Sequence, residues 1–312
     1  MRPSPVVLFV YNRPDHTRKT LEALAAADLS EITDLFIFSD APKDPSDTGQ
    51  LQKVEETRSL IRQRKWCGSV NITEQTGNKG LADSIISGVT DIIHRYGTVI
   101  VLEDDIVIGK GFLRYMNQAL ELYKDDPAVM HISGYIYPYA RSIRLKEDTL
   151  FLKVYSCWGW ATWERAWKHF NPDIDFHLAQ WNTPEKIDRL NLEGHADCYF
   201  QLRQNKEGII YSWAVKWYSS WLAKGGISLF PRESLVRNIG NDATGIHSAA
   251  TNAFDTKTTD YLEVARIPVA ENDKVRKSID EFYKRLYHLV PMKPRFNKLI
   301  KTLILYKYWS NQ

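Results

Sequence analysis

Three adjacent acids at the end of an apolar run are the residues of this chain best suited to chemistry. Glu103, Asp104 and Asp105 follow the run 99–102, which is typical of a strand buried on both faces. Carboxylates held against a sheet repel one another unless a positive charge joins them. Mg²⁺ and Mn²⁺, hard dications that prefer oxygen ligands, are suitable partners. The alternative is a solvated acidic turn, but the buried strand before the triplet and the helix predicted over 111–124 favour a cation site.

The elements that must position these acids alternate between strands and helices in the first half of the sequence. Strands are predicted over 6–11, 35–39, 70–73 and 98–102, and helices over 16–27, 48–64 and 81–96. This alternation predicts an α/β fold with right-handed βαβ units and a mostly parallel sheet flanked by helices. From about residue 137 the pattern is less regular, with a strand predicted over 150–155 and short aromatic helices.

Polar residues follow each predicted strand, where an open α/β sheet places its ligand crevice. Besides the acids, these residues are Asn12, Arg13, Asp15, Asp40, Gln75, Asn78 and Lys79. The helix that opens at 78–80 would add amides for anionic phosphates. The chain has no GxGxxG after its first strand, no GxxxxGK[ST] and no GxGxRL loop. These absences disfavour a dehydrogenase and a P-loop enzyme. A nucleotide diphosphate bridged by Mg²⁺ or Mn²⁺ fits better.

Composition narrows the class of protein further. The 312 residues include 41 basic and 38 acidic side chains, so the chain lacks the basic excess of a nucleic-acid reader and we expect no nucleic-acid partner. Cys67, Cys157 and Cys198 form no CxxC pair, which disfavours a zinc site and favours a reducing compartment. The N-terminal apolar run predicts a first strand and not a signal peptide. We therefore expect a cytoplasmic protein.

The C-terminal tail has a strong charge bias. Residues 282–312 contain seven Lys or Arg and no acid. Apolar residues recur there at helical spacing, at Phe296, Leu299, Ile300, Leu303 and Ile304. A basic amphipathic helix can lie on an anionic membrane surface, here the inner face of the cell membrane. A terminal helix docked on its own domain with a solvated basic face explains the pattern equally well.

Three stretches, 7–14, 36–40 and 99–106, resemble the nucleotide-sugar half of GT-A glycosyltransferases. The order of these motifs over about 6–135 is similar to N-acetylglucosaminyltransferase I-type enzymes. The stretches 157–163 and 238–247 look like bacterial family 2-like sugar transferases. The resemblance implies a nucleotide-sugar-binding half at 1–136, an acceptor-binding half at 137–260 and a basic helical extension at 261–312. It implies a metal-dependent, inverting transfer from a nucleotide-diphosphate sugar, by default a UDP-sugar, to a glycan or lipid-linked glycan precursor in bacterial surface polysaccharide or lipopolysaccharide assembly.

The resemblance also assigns roles to single residues. It places Asn12, Arg13 and Asp40 at the nucleobase and ribose, and Glu103 and Asp104 at the ribose and donor sugar. Asn78 and Lys79 would contact the donor. Asp105 would ligate Mn²⁺ or Mg²⁺, with His247 as a second ligand, although a surface loop histidine is an equal alternative for His247.

The general base and the acceptor platform stay open. Where the N-glycan enzyme has an acid in a Trp-Asp-Asp-Trp stretch, this chain reads Trp213-Ala214-Val215-Lys216-Trp217. The remaining acids are Asp242, Asp197, Glu164 and Glu207, of which we favour Asp242. Trp158, Gly159 and Trp160 form an acceptor platform or belong to the core. Two other functions compete: a sugar-1-phosphate nucleotidyltransferase, and a non-catalytic carbohydrate-binding relative that has lost the base.

Overall fold

The computed structural model describes residues 2–194, 196–242 and 252–288, with the backbone alone at 287 and 288. Its centre is an eight-stranded sheet. Four strands at one side are parallel and lie in the order β3-β2-β1-β4. Their bounds are β1 (Val6–Val10), β2 (Asp34–Ser39), β3 (Ser69–Glu74) and β4 (Thr98–Glu103). These are the four strands that the sequence predicts, with ends that shift by one or two residues.

The other side of the sheet mixes directions. Strand β8 (Trp160–Trp163) pairs antiparallel with β4, and β6 (Val129–Ser133), β9 (Ile227–Pro231) and β7 (Thr149–Leu152) follow it outward. Strands β6 and β9 are parallel, whereas β9 and β7 are antiparallel. A separate antiparallel ribbon joins β5 (Ile106–Ile108) to β10 (Val236–Asn238). The prediction of an α/β fold is confirmed, in the form of a mixed sheet.

Helices cover both faces of the sheet and form one apolar cluster on each. One face carries α1 (Pro14–Ala25), α2 (Thr48–Arg62) and α4 (Phe112–Leu122). The other carries α3 (Leu81–Tyr96), α5 (Glu164–Trp167), α6 (Ile174–Gln180), α7 (Pro184–Leu190), α8 (Cys198–Lys206), α9 (Trp213–Ala223) and α10 (Asp273–His288). Because both faces are covered, the central strands such as β1 and β4 are buried along nearly their whole length, which explains their continuous apolar runs, whereas the edge strand β3 is only partly buried.

A glycine ends helix α3 and allows the chain to turn into strand β4. Gly97 adopts φ +77°, a left-handed conformation that glycine reaches without steric cost. Its N–H donates to the carbonyl of Ile93 at 2.8 Å, which closes the last turn of the helix. Strand β4 starts at the next residue and leads directly to the acid triplet.

Residues 261–288 belong to the main domain and not to an extension, which corrects the predicted boundary. Leu262 is buried, and the hydroxyl of Tyr123 donates to the carbonyl of Ala265 at 3.3 Å. Val275 and Ile279 of α10 are fully buried. The tail residues 293–312, with their predicted amphipathic helix, lie outside the described residues. Within the described part of the chain, no helix combines the length and the apolarity that crossing a membrane needs.

Candidate functional site

The strand order creates a switch point between β1 and β4. The chain runs from β1 outward to β2 and β3, then returns to place β4 on the other side of β1. In sheets of this kind the ligand crevice opens at the carboxyl ends of the strands where the order reverses. Phe9 of β1 pairs with Glu103 of β4, so the residues that follow both strands meet there. The acid triplet therefore lies where the sequence predicts a ligand site.

Arg13 is the cation that this corner of the chain supplies to the acids. Its Nη1 donates to Oδ2 of Asp105 at 2.9 Å and lies 3.7 Å from Oδ1 of Asp104. The side chains of Arg13 and Asp104 are each 14% exposed, and that of Asp105 is 18% exposed. Thr20 of α1 donates its hydroxyl to the carbonyl of Asp104 at 2.8 Å, which fixes the turn against the helix. We name the set of Arg13 and the three acids the acidic corner.

The chain segment after β10 closes over the acidic corner. Oδ2 of Asp242 lies 3.1 Å from Nε2 of His16, and Oδ1 lies 3.6 Å from Nη2 of Arg13. The backbone N–H of Ile239 donates to the carbonyl of Asp105 at 2.9 Å. Asp242 is the base candidate that the structure places at this corner, with 42% of its side chain exposed. Sequence reasoning missed His16, because nothing in the sequence pairs it with a residue 226 positions away.

Gly240 fits this closure because it has no side chain. A Cβ built on Gly240 would collide with the carboxylate of Asp105 and lie 3.1 Å from Nη1 of Arg13. Its N–H donates to the side-chain oxygen of Asn238 at 2.7 Å. The backbone thus approaches the acids as closely as sterics permit.

The acidic corner has too little positive charge for three ionised carboxylates. Burial raises the pKa of Glu103 well above its ordinary value, and the charges of Asp105 and Asp104 raise it further. Burial, with the charge of Asp105, raises the pKa of Asp104 to about 7. Burial also raises the pKa of Asp105, although Arg13 opposes that shift. A site of this kind favours an additional cation.

The carboxylate oxygens of the acidic corner suit a hard dication that also binds the phosphates of a substrate. Among the described residues no group of three or more His, Cys, Asp or Glu side chains is arranged as a metal site. Mg²⁺ and related ions, however, bind through one or two carboxylates and complete their shell with water and substrate phosphates. The oxygens of Asp104 and Asp105 match that requirement. His247, the predicted second ligand, lies outside the described residues.

Asp40 has a structural function, which corrects its predicted contact with the nucleobase and ribose. Its Oδ1 accepts from the N–H groups of Ala41 and Lys79, each at 2.9 Å. Its Oδ2 accepts from the N–H of Gly80 at 2.8 Å and from Nδ2 of Asn78 at 3.1 Å. With four donors already bound, the carboxylate fastens the end of β2 to the start of α3 and offers no lone pair to a ligand. The same bonds occupy the Lys79 and Gly80 amides that the sequence assigned to phosphates.

The aromatic stretch after β7 divides between core and crevice. Trp160 is fully buried and stacks on His131 at 5.4 Å and on Trp213 at 5.3 Å between ring centroids. A sugar cannot reach it, so the predicted acceptor contact of Trp160 is wrong. Trp158 is half-buried and packs edge-on against Tyr135 at 4.5 Å. The predicted contact of Trp158 with the acceptor stays a prediction.

Gly159 adopts φ +62° between these two tryptophans, and its carbonyl accepts from the N–H of Gly134 at 2.7 Å. A Cβ there would lie 2.9 Å from Val236 Cγ1. The close approach serves protein packing, and the predicted contact of Gly159 with the sugar stays a prediction.

The other base candidates lie elsewhere. The N–H of Glu164 donates to the carbonyl of Gly97, at the amino end of β4 and so at the opposite end of the sheet from the crevice. Glu207 ends α8 and pairs with Arg203 on the surface. Asp197 precedes α8, next to the buried Cys198.

Two cavities, of about 250 and 540 Å³, lie beside the β5–β10 ribbon and beside β7, and neither is lined by the acid triplet.

Comparisons with known proteins find loose structural likenesses, of which two are described. No protein-family model and no curated protein matches the chain. The chain superposes on Staphylococcus aureus TarS with a TM-score of 0.38 and 12% identity, over 76% of this chain and 37% of that one. It superposes on mouse xyloside xylosyltransferase 1 with a TM-score of 0.36 and 10% identity, over 71% of this chain and 81% of that one. Both are glycosyltransferases. At these TM-scores the likeness decides nothing about the site, and the chain spans well under half of TarS.

Proposed function

We propose that this protein is a GT-A-type glycosyltransferase that moves a sugar from a nucleotide-diphosphate sugar to a hydroxyl group, with Mg²⁺ or Mn²⁺ bound. The observation that supports the proposal most directly is the acidic corner at the switch point between β1 and β4. A sugar nucleotide is the class of ligand that brings both phosphates and, through them, a dication to buried carboxylates. The stretch 36–40, which lies outside the acidic corner, resembles the same class and adds support.

Asp105 and Asp104 would hold the dication in this proposal, and Glu103 would hold the donor sugar or ribose. The bound ion would supply Lewis acidity that stabilises negative charge on the leaving diphosphate. Asn12 and Arg13, which follow β1, would contact the nucleoside, and the side chains of Asn78 and Lys79 would contact the donor at the start of α3. We take UDP as the nucleotide by resemblance.

Asp242 is the proposed general base of an inverting transfer. The acceptor oxygen forms a bond to the anomeric carbon while the anomeric bond to the diphosphate breaks and its electron pair leaves with the diphosphate. The acceptor proton passes to the carboxylate of Asp242. His16, 3.1 Å from Oδ2 of Asp242, holds that carboxylate at the corner.

The acceptor is proposed to be a glycan or lipid-linked glycan precursor in bacterial surface polysaccharide assembly. A cytoplasmic protein whose basic tail lies on the inner membrane face would reach such an acceptor. The full-length protein should then bind anionic phosphatidylglycerol vesicles, and deletion of residues 293–312 should abolish that binding and leave binding to neutral vesicles unchanged. Equal retention of the shortened chain on anionic vesicles would exclude the membrane contact.

The decisive experiment measures nucleotide-sugar binding and turnover with and without Mn²⁺. Wild-type protein should show a Mn²⁺-dependent rise in melting temperature with one nucleotide sugar, because a ligand that binds only the folded state stabilises it. Asp105→Asn should abolish that rise, whereas Asp91→Asn, an exposed acid on α3, should not change it. Unchanged metal-dependent binding by Asp105→Asn would overturn the proposal. Binding without turnover would indicate a non-catalytic relative instead.

A further inference from the structure

A buried lysine lies on the helix where the sequence comparison led us to expect an acid. Lys216 of α9 is 4% exposed. Its Nζ lies 4.6 Å from the ring centroid of Tyr211. Within the described part of the chain, this ammonium makes no hydrogen bond to an acid, and its Nζ is not among the fully enclosed polar atoms, so it keeps some contact with solvent. The acids that act on it from further away are Asp83 and Asp173.

An ammonium in this position is energetically costly. Most of the side chain is withdrawn from water, and partial burial of a charge that has no ion pair is unfavourable. A ring face compensates only part of the lost hydration. Consistent with this, burial lowers the pKa of Lys216. The group therefore has unused capacity to bind an anion.

Tyr211 covers the ammonium and is itself weakly held. The side chain is 55% exposed although its ring lies against Lys216. Its hydroxyl donates to Oδ1 of Asp83 at 2.7 Å, the hydrogen bond that joins it to α3. Rotation of Tyr211 outward would break that bond and uncover Lys216 from the solvent side.

This group lies at the same end of the sheet as the acidic corner but on the other face. Asp83 is in the first turn of α3, directly after the residues that bind Asp40 at the end of β2. Trp213, one turn before Lys216, stacks on Trp160, which pairs with Val101 of β4 two residues before Glu103. Arg13 and His16 approach from α1 on the opposite face. The acidic corner and Lys216 thus lie at the same end of the sheet, on opposite faces.

We propose that Lys216, uncovered by rotation of Tyr211, binds an anionic group of the acceptor, either a phosphate or a carboxylate. The assignment to the acceptor rests on the proposed function, whereas the anion site itself does not. The acidic corner would repel the anionic group of the acceptor, and Lys216 would attract it. The acceptor would therefore be oriented with its hydroxyl group, and not its anionic group, towards the donor.

The test is a titration of the full-length protein, with ¹³C-labelled lysine side chains followed by NMR, at constant ionic strength. The Lys216 signal is assigned by its loss in Lys216→Met. Inorganic phosphate or glucuronate should shift that signal saturably, and the probe that binds more tightly identifies a phosphate or a carboxylate acceptor. Tyr211→Phe keeps the ring but loses the bond to Asp83, so it should tighten anion binding about fivefold. No saturable shift with either anion, or unchanged affinity in Tyr211→Phe, would overturn the proposal.

Two controls separate binding from a structural role. Lys216→Met should melt at the same or a higher temperature than wild type, because it replaces an unpaired buried ammonium with an apolar chain of similar length. A lower melting temperature would show that the lysine stabilises the fold, and would count against the proposal. The exposed Lys224→Met at the end of α9 is the matched charge control.

The donor side is tested separately with UDP and Mn²⁺. Lys216→Met should leave their affinity unchanged, and a loss would reassign the lysine to the donor phosphates and overturn the acceptor assignment. If no nucleotide sugar binds at all, the proposed function fails while the anion titration at Lys216 stays interpretable.

Discussion

Nη1 of Arg13 donates to Oδ2 of Asp105 at 2.9 Å, between two side chains that are both largely buried. The pair joins the segment that follows β1 to the turn that follows β4 across the switch point of the sheet. Removal of one partner from such a pair leaves a buried charge uncompensated, at a cost of about 3–5 kcal/mol. In the acidic corner the remaining charge would also face two further carboxylates.

Arg13→Met should therefore lower the free energy of unfolding by about 3 kcal/mol at pH 7, as measured by urea denaturation. Arg114→Met removes a surface ion pair with Asp28, where we expect less than about 1 kcal/mol. Addition of Asp105→Asn to Arg13→Met should recover part of the loss. Equal losses in the Arg13 and Arg114 variants would contradict a buried, coupled pair.

Gly240→Ala should disable the site while the fold persists. The added methyl meets the Asp105 carboxylate and the Arg13 guanidinium, so the loop after β10 must move away from the acids. We expect a stability loss of about 1–3 kcal/mol and a larger loss of Mn²⁺-dependent nucleotide-sugar binding. The control is Gly77→Ala, at an exposed glycine where a Cβ meets no atom within 4 Å. Retained ligand binding in Gly240→Ala would show that the close approach is incidental.

Asp242→Asn should reduce kcat by roughly 10²–10⁴, the usual contribution of a general base. The KM for the donor should change little, because the amide keeps the size of the carboxylate. His16→Gln should give a smaller fall in kcat, since it removes the partner of Asp242 and not the base. The second base candidate, Asp197, is compared directly as Asp197→Asn. A larger kcat loss in Asp197→Asn than in Asp242→Asn would transfer the role to Asp197.

The buried His131 predicts a pH dependence of stability. Its Nδ1 accepts from Nε1 of Trp217 at 3.1 Å and its Nε2 lies 2.9 Å from the carbonyl of Ser156, an arrangement that requires the neutral ring with the proton on Nε2. Burial lowers the pKa of His131 from 6.5 to about 4. Between these values the unfolded chain binds a proton that the folded chain does not, so stability falls as pH drops below 6.5 and the loss is complete near pH 4.

This loss amounts to about 3 kcal/mol, and urea unfolding at pH 7 and pH 4.5 measures most of it. His131→Gln should flatten the dependence, although it lowers stability at both pH values. His94→Gln, at an exposed position on α3, should keep the wild-type slope. A wild-type slope in His131→Gln would mean that other groups cause the acid sensitivity.

The half of the fold that contains the acids was predictable because its signals are local. Strands β1, β2 and β4 are short, mostly apolar runs followed by polar residues, β3 alternates apolar and polar residues, and the βαβ alternation fixes where the polar residues after the strands meet. The contacts that define the corner are not local. His16 meets Asp242, and Gly240 meets Asp105, through a ribbon between β5 and β10 that joins residues about 130 positions apart. A single sequence contains no signal for that pairing.

Because both faces of the sheet are buried, the sequence alone also does not distinguish polar and aromatic residues that stabilise the fold from those that bind a ligand. Asp40 follows its strand as a ligand-binding acid would, yet its oxygens bind the start of α3. Lys216 occurs in an otherwise apolar helix and reveals its missing partner only when its surroundings are known. Period-two alternation cannot distinguish crevice from core in β8, because helices cover both of its faces.

Trp158 and Trp160 test this distinction as a matched pair. Trp160 is fully buried between aromatic rings, so Trp160→Ala should lower the free energy of unfolding by about 3–5 kcal/mol. Trp158 is half-buried near the crevice, so Trp158→Ala should cost clearly less stability and should raise the KM for the acceptor several-fold. Urea unfolding and acceptor-dependent turnover measure the two effects on the same proteins. An unchanged acceptor KM in Trp158→Ala would assign both tryptophans to packing and leave the acceptor platform to other residues.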